Sequence, residues 1–317
     1  MQTTATLDHA PDTQSFLDEA LDGLTQTPKT LPCKFFYDAR GSALFDQICE
    51  LGEYYPTRTE MGIMRAYAPA MSALLGTNCR LVEYGSGSSL KTRVLLDNAR
   101  RLAAYVPVDI SREHLHRTAS ALEQAYPDIP ILPVCADYTQ PFDLPPSRAA
   151  RTVVYFPGST IGNFAPPQAR EFLARIAQVC GPGGGLLIGV DLKKSPALLE
   201  PAYNDQDGVT AAFNLNLLAR MNREIGADFD LTQFAHHAFY NARLGRIEMH
   251  LVSLRTQTVL VGGKCIALGA GERIHTESSH KYALDEFASL AASAGFQVRQ
   301  VWTDAAPLFS VQYLTVA

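Results

Sequence analysis

The stretch Glu83-Tyr84-Gly85-Ser86-Gly87-Ser88-Ser89 decides the fold of this 317-residue chain. The residues leading into it, 80–84, read as a β-strand, and residues 90–102 behind it read as a helix. A strand that turns on glycines into a helix is a nucleotide-loop signature. Glycine lets the backbone turn tightly and approach a ligand closely, and the helix N-terminus offers unpaired N–H groups with partial positive charge. A dinucleotide loop would read GxGxxG, but Leu90 stands at the third position, which weakens that form. By itself the turn is also compatible with a plain strand–helix connection.

Outward from the turn, strands and helices alternate. Residues 105–110 are strand-like, 112–125 helical, 129–136 strand-like, 151–156 β-rich, 167–179 helical, and 186–191 an apolar strand after Gly181-Pro182-Gly183-Gly184-Gly185. This βαβ succession predicts parallel strands covered by helices, a doubly wound α/β sheet. Asp109 closes the second strand, about twenty residues past the loop, where an acid can accept hydrogen bonds from ribose hydroxyls. Asp137 follows the third strand, where an acid can meet an adenine amino group. The fourth strand runs into Gly158-Ser159-Thr160-Ile161-Gly162-Asn163. All four positions lie at the carboxyl ends of strands, where open α/β sheets bind ligands.

The pattern then changes. Residues 209–225 are a long helical segment, and residues 239–261 alternate with period two, as in Arg246-Ile247-Glu248-Met249-His250-Leu251, which predicts antiparallel strands. Residues 263–280 stay β-like, 283–294 are helical, and 298–303 and 309–316 close the chain as strands. Toward the N-terminus, residues 13–24 and 42–51 read as helices. Pro56 biases Tyr55 towards extended backbone, so Tyr54 and Tyr55 are expected on a loop.

Composition excludes several classes. Hydrophobic residues make up 47% and charged residues 19%, and the net charge is −5 with no basic stripe, so nucleic-acid binding has no electrostatic support. The longest apolar runs are too short to span a bilayer, and no secretory signal is read in residues 1–12, so a cytoplasmic location with no membrane partner is expected. The six cysteines, Cys33, Cys49, Cys79, Cys135, Cys180 and Cys265, form no CxxC pair and are expected as reduced thiols. No metal site is expected either. His114 and His116 face apart on a helix, His236 and His237 are adjacent and expected to be exposed, and no HExxH or Cys/His cluster occurs.

Several blocks together carry a family resemblance: Lys34-Phe35-Phe36-Tyr37-Asp38, Glu53-Tyr54-Tyr55-Pro56-Thr57-Arg58, Gly85-Ser86-Gly87-Ser88-Ser89-Leu90-Lys91-Thr92-Arg93 and Gly158-Ser159-Thr160-Ile161-Gly162-Asn163. Asp207-Gly208-Val209-Thr210-Ala211-Ala212-Phe213-Asn214, Arg246-Ile247-Glu248-Met249, Thr276-Glu277-Ser278-Ser279 and Val301-Trp302-Thr303-Asp304 follow in the same order. In these blocks the chain resembles the histidine-specific Nα-methyltransferases of ergothioneine biosynthesis, which convert histidine to its trimethyl betaine, hercynine. The resemblance runs from about residue 27 to the C-terminus. It departs locally at Tyr84, where many relatives have leucine, and at Asn204, where they tend to have aspartate.

The resemblance implies a class I methyltransferase: a Rossmann-like doubly wound sheet with an inserted α+β substrate-binding domain. The expected divisions are residues 1–59, an N-terminal segment packing with the substrate domain; 60–193, the first part of the methyltransferase domain; 194–281, the insertion; and 282–317, the final helix and strands. It implies S-adenosyl-L-methionine as cofactor, held by Tyr37, Gly85, Lys91, Asp109, Asp137 and Tyr138. Lys91 would pair with the cofactor's methionine carboxylate and Asp109 would hold its ribose. The L-histidine pocket would comprise Tyr54, Gly158, Asn163, Tyr203, Met249, Glu277 and Ser279, with Asn163 and Tyr203 on the carboxylate and Glu277 and Ser279 on the imidazole. Glu277 and Ser279 are two apart in a β-like run and so share a face. Tyr37 is the expected catalytic residue, orienting the amine or relaying its proton. A monomer is expected. The alternative is an N-methyltransferase of the same family acting on another aromatic amino acid or amine. Met249 can equally be core, and Asn163 can equally cap the helix beginning near Pro166.

Overall fold

A computed structural model describes residues 7–9, 13–87, 89–99 and 101–317. The described residues divide into two compact units. One holds Leu7–His9, Pro56–Lys193 and His280–Ala317; the other holds residues 13–55 and Lys194–Ser279.

The first unit is built on an eight-stranded sheet. Its spatial order is Leu7–His9, Val134–Ala136, Ala104–Asp109, Cys79–Tyr84, Arg151–Phe156, Gly185–Asp191, Phe309–Val316 and Phe296–Thr303. The first six strands pair in parallel, and the last two join antiparallel. Alternate residues of the central strands feed two separate cores. Leu186, Ile188 and Val190 pack with Val154 and Phe156 against the helices Pro166–Cys180 and Leu284–Ser293. Leu187 packs with Val153 and Tyr155 against Tyr55–Leu75, Leu90–Leu96 and Arg112–Ala125. Both faces of the sheet are therefore covered, which is why these strands read as unbroken apolar runs. Each such fully buried Leu or Ile contributes about 1.5–3 kcal/mol.

Strand order positions the turns. Cys79–Tyr84 lies between Ala104–Asp109 and Arg151–Phe156, so the winding direction reverses beside it. Open α/β sheets bind ligands at that reversal, here beside Gly85 and Gly158.

The second unit holds a four-stranded sheet in the order Lys29–Thr30, Arg273–His280, Arg246–Ser253, Phe234–Asn241, and the hairpin Gln257–Val261 with Lys264–Leu268. Its helices are Thr13–Leu24, Ala39–Glu50 and Val209–Glu224, besides shorter turns. Asp38 caps the second of these, and Asp205, three residues ahead of the cap residue Gly208, serves the third. Asp38 Oδ1 accepts from Gly41 N–H at 2.6 Å, and Asp205 accepts from Val209 and Thr210 N–H at 2.7 and 2.8 Å. Such side-chain acceptors satisfy donors that the first helical turn leaves open.

Several expectations need correction. Tyr55 is not on a loop: the helix Tyr55–Leu75 begins with it, and Pro56 sits at the second helical position, where a missing N–H costs nothing. The strand expected over 129–136 shrinks to Val134–Ala136, since Pro130 and Pro133 cannot donate to the ladder; only a bridge from Tyr105 to Ile131 precedes it. The helix after the glycine turn ends at Leu96 rather than near 102. Residues 7–9 lie with the large sheet, pairing with Val134–Ala136, rather than with the insertion, and the second unit ends at Ser279 rather than at 281.

Candidate cofactor and amino-acid sites

The glycine turn departs from ordinary backbone at three described positions. Gly85, Gly87 and Ser89 have φ of 73°, 44° and 55°. A Cβ on Gly85 would sit 3.7 Å from the Tyr138 ring, so the bare backbone leaves that aromatic face uncluttered. Ser88, quoted within this turn, lies outside the described residues. Asp109 ties the turn to the second strand: Oδ2 accepts from Gly87 N–H at 3.1 Å and Oδ1 from Ser111 N–H at 2.9 Å. Burial pushes the Asp109 carboxyl up from its ordinary value, opposed by the Ser111 and Gly87 N–H groups and by His114. Behind the turn Glu83 is buried and accepts from Thr92 and Tyr105 hydroxyls. Burial pushes its carboxyl up to about 8, against those two hydrogen bonds.

At the third strand's end Asp137 Oδ1 accepts from Thr139 N–H and Oγ1 at 2.9 and 2.5 Å. Tyr138 stacks on Tyr84 at 5.5 Å and 8°. Tyr84 thus backs the ring of an expected cofactor contact. Lys91 stands in the first turn of Leu90–Leu96 and pairs with Glu60 at 2.5 Å. Across the strand reversal Gly158 (φ 77°) and Ser159 (φ 57°) form a second left-handed turn. Gly158 N–H donates to Glu60, and Ser159 Oγ accepts from Asp191 N–H at 2.8 Å. Asn163 ends the short helix Thr160–Asn163 and is half-buried. It is not the cap of Pro166–Cys180, where Ala165 holds that position.

In the second unit aromatic rings gather. Tyr37 lies edge-on to Phe45 at 5.6 Å and to Phe213 at 5.8 Å; Phe45 meets Tyr54 at 6.3 Å; Tyr54 meets Tyr203 at 6.2 Å. Tyr203 Oη donates to Ser279 Oγ at 2.9 Å. Burial, then the neighbouring Tyr203, Cys49, Tyr37 and Glu277, hold the Tyr54 hydroxyl well above its ordinary range. Glu277 and Ser279 share the strand Arg273–His280, half-buried and buried respectively. Met249 is buried across from Ala238, on the face it shares with Ile247 and Leu251. His236 is half-buried rather than exposed. A carbonyl only accepts, so His236 donates Nε2–H to Tyr203 O at 2.8 Å and accepts at Nδ1 from Asn214 at 2.9 Å. It thereby holds Tyr203 from behind. Asn204 donates to the Glu200 and Ala238 carbonyls.

Of the expected cofactor residues, Gly85, Lys91, Asp109, Asp137 and Tyr138 stand in the first unit and Tyr37 in the second. Of the expected amino-acid residues, Gly158 and Asn163 stand in the first, and Tyr54, Tyr203, Met249, Glu277 and Ser279 in the second. Sequence reading missed Phe45, Phe213 and Glu60. Phe45 and Phe213 gave no signal, since a helical phenylalanine is ordinarily core. Glu60 did give one: it falls on the helix stripe of Ile63, Met64, Ala68, Met71 and Leu75, where a carboxylate is out of place.

A reversing parallel sheet with an antiparallel edge, a glycine turn, and acids at the next two strand ends define a Rossmann-like α/β protein built to hold a nucleoside-bearing cofactor. Comparison with known proteins narrows this. A family profile described as histidine-specific methyltransferase, SAM-dependent, matches residues 16–316. A histidine N-alpha-methyltransferase of Mycolicibacterium smegmatis is 44% identical over 294 residues, 91% of this chain and 91% of that protein. The protein of the same name from Mycobacterium tuberculosis is 44% identical over 301 residues, 92% of each chain. Ergothioneine biosynthesis protein 1 of Neurospora crassa is 32% identical over 87% of this chain and 32% of its own length. The chain belongs to the histidine-specific, S-adenosylmethionine-dependent methyltransferase family, as the sequence blocks implied.

Proposed function

We propose that the enzyme transfers three methyl groups in succession from S-adenosylmethionine to the α-amine of L-histidine, giving hercynine for ergothioneine biosynthesis. The observation that carries this reading is the strand bearing Glu277 and Ser279, with Tyr203 Oη hydrogen-bonded to Ser279. Ser279 Oγ accepts from Tyr203, so its own proton is directed onward as a donor. Glu277 supplies an acceptor. One donor and one acceptor match the two nitrogens of a neutral imidazole, one of which carries hydrogen and the other a lone pair. Tyr203 has a single proton and cannot serve Ser279 and a substrate carboxylate at once. Its role on the carboxylate, shared with Asn163, therefore requires that proton to be reassigned when substrate binds.

The first unit's residues fit the cofactor. Asp109 keeps lone pairs for ribose hydroxyls beyond its two N–H bonds, Asp137 offers an acceptor for the adenine amino group, Tyr138 offers a ring, and Lys91 a cation for the methionine carboxylate. When bound, S-adenosylmethionine supplies an activated methyl group on a sulfonium. The protein positions the amine for in-line attack, which alone can account for much of the acceleration. The amine must lose a proton before each transfer, and Tyr37 orients it or relays that proton. The faces of Tyr37, Phe45 and Tyr54 tolerate the growing ammonium charge. We also propose that the enzyme is a cytoplasmic monomer; molar mass by light scattering checks the oligomeric state.

Mass spectrometry of amino-acid mixtures incubated with enzyme and S-adenosylmethionine tests the substrate. Mono-, di- and trimethylation of histidine alone is expected. Methylation of tryptophan, tyrosine or another amine instead would transfer the assignment to a different member activity of the family.

A further inference from the structure

Glu60 occupies the second turn of the helix Tyr55–Leu75 and is 0% exposed. A buried carboxylate is costly unless paired and hydrogen-bonded. Three other segments of the same unit converge on it. Lys91 Nζ donates to Oε2 at 2.5 Å. Gly158 N–H lies 3.1 and 3.0 Å from the two oxygens. Gly189 supplies space: a Cβ there would fall 2.2 Å from Oε1 and 3.0 Å from Cδ. One carboxylate thus joins the helix that follows the glycine turn, the turn after the neighbouring strand, and the strand beyond it.

A purely structural reading explains this poorly. The rest of the helix stripe is apolar, and a buried ion pair is seldom more stabilising than well-packed hydrophobic residues of similar volume. The pair is also lopsided: the Lys91 side chain is 18% exposed and that of Glu60 is 0%. An ammonium has three donors, and Glu60 takes one, so the cation is anchored at its root with donors left to offer. We infer that Glu60 is a positioning residue for the cofactor's carboxylate: it holds the Lys91 ammonium and the Gly158 peptide in one fixed arrangement before the cofactor arrives. A lysine side chain ordered in advance loses less rotamer freedom on binding. This inference rests on the assignment of Lys91 to the methionine carboxylate.

The test is a double-mutant cycle with a cofactor readout. Glu60→Gln keeps the shape and an acceptor for Gly158 N–H while removing the charge. It should raise the KM for S-adenosylmethionine, and the Kd for S-adenosylhomocysteine by calorimetry, about tenfold. The kcat at saturating cofactor and the KM for histidine should stay within about twofold, because only cofactor binding is affected. Lys91→Met should weaken the cofactor at least as much, and adding Glu60→Gln to it should cost nothing further. Gly189→Ala pushes the carboxylate away from Lys91 and from Gly158 N–H together, and should weaken the cofactor at least as much as Glu60→Gln. Unchanged cofactor affinity in Lys91→Met overturns the assignment of Lys91 itself. Weakening by Lys91→Met with no effect of Glu60→Gln, or with effects that simply add, overturns the positioning role alone. Thermal denaturation accompanies each variant. Should Glu60→Gln fail to fold, the Glu60→Gln/Lys91→Met pair, which buries no charge, compared with Lys91→Met decides the same question: weaker cofactor binding in the pair overturns the role, and equal binding supports it.

Discussion

The two compact units present their functional groups on different materials. In the first, backbone conformation does most of the work. Gly85, Gly87, Ser89, Gly158 and Ser159 all adopt left-handed φ, and the acids Asp109 and Asp137 are fixed by N–H groups one or two residues away or in the adjacent turn. In the second, side chains from separated segments assemble the group: Tyr37, Phe45, Tyr54, Tyr203, Phe213, Glu277 and Ser279. A backbone-built set tolerates little change at its turns and accepts a constant ligand. A set built from side chains can change specificity by single substitutions while its fold persists. Most of the proposed cofactor residues fall in the first set and most of the proposed amino-acid residues in the second, with Tyr37, Gly158 and Asn163 as the exceptions.

The largest expected effect probes the first unit. Asp109→Ala strips an acceptor from Gly87 and Ser111 N–H and removes the acceptor proposed for the ribose, and should weaken S-adenosylhomocysteine by about 3 kcal/mol, over a hundredfold in Kd. Calorimetry measures it, and an unchanged Kd would place the adenosine elsewhere. Next comes Glu277→Ala in the second unit. It should lower kcat/KM for histidine by about 2 kcal/mol, relax selectivity against other amino acids, and leave cofactor affinity nearly intact. A parallel loss of cofactor binding would erase the distinction between the units. Tyr37→Phe is milder, about tenfold in kcat, below the usual range for a lost proton-transfer group because water can substitute. Identical turnover would remove Tyr37 from the reaction.

The same contrast explains what could be read from the chain. Gly85, Asp109 and Asp137 were legible because glycine turns and strand ends recur at fixed spacing, and a parallel sheet puts those ends on one edge. Tyr203 and Ser279 are 76 residues apart, and no periodicity announces that their hydroxyls meet; only the family resemblance named them. Boundaries failed where local chemistry outweighed pattern. Pro56 predicts extended backbone at Tyr55, yet the helix begins there, while Pro130 and Pro133 broke a strand whose apolar residues looked continuous. Glu60 was legible in principle, as a charge on an apolar stripe, but its partners Lys91 and Gly158 lie 31 and 98 residues away.

The smallest expected effect concerns acid, and the two units should respond with opposite signs. His236, His250 and His275 belong to the second unit, and burial lowers each below its ordinary value. His275 is held down to about 4, first by burial, then by His250 and Arg246. The unfolded chain takes up that proton near 6.5 while the folded unit refuses it until about 4. This stability is therefore complete above 6.5 and is lost as pH falls towards 4, by about 1 kcal/mol one unit below the ordinary value. Glu83 in the first unit runs the other way: raised to about 8, it favours the folded state most below its ordinary 4.5 and loses that contribution as pH rises through 8. The single tryptophan, Trp302, is buried in the first unit and reports on it by fluorescence. Between pH 6.5 and 5, hydrogen-exchange protection should fall in Arg246–Ser253 and Arg273–His280 while Trp302 emission holds, and His275→Asn should flatten the exchange response. Simultaneous change of both signals would mean that the units share one acid transition and that the buried histidines do not set it.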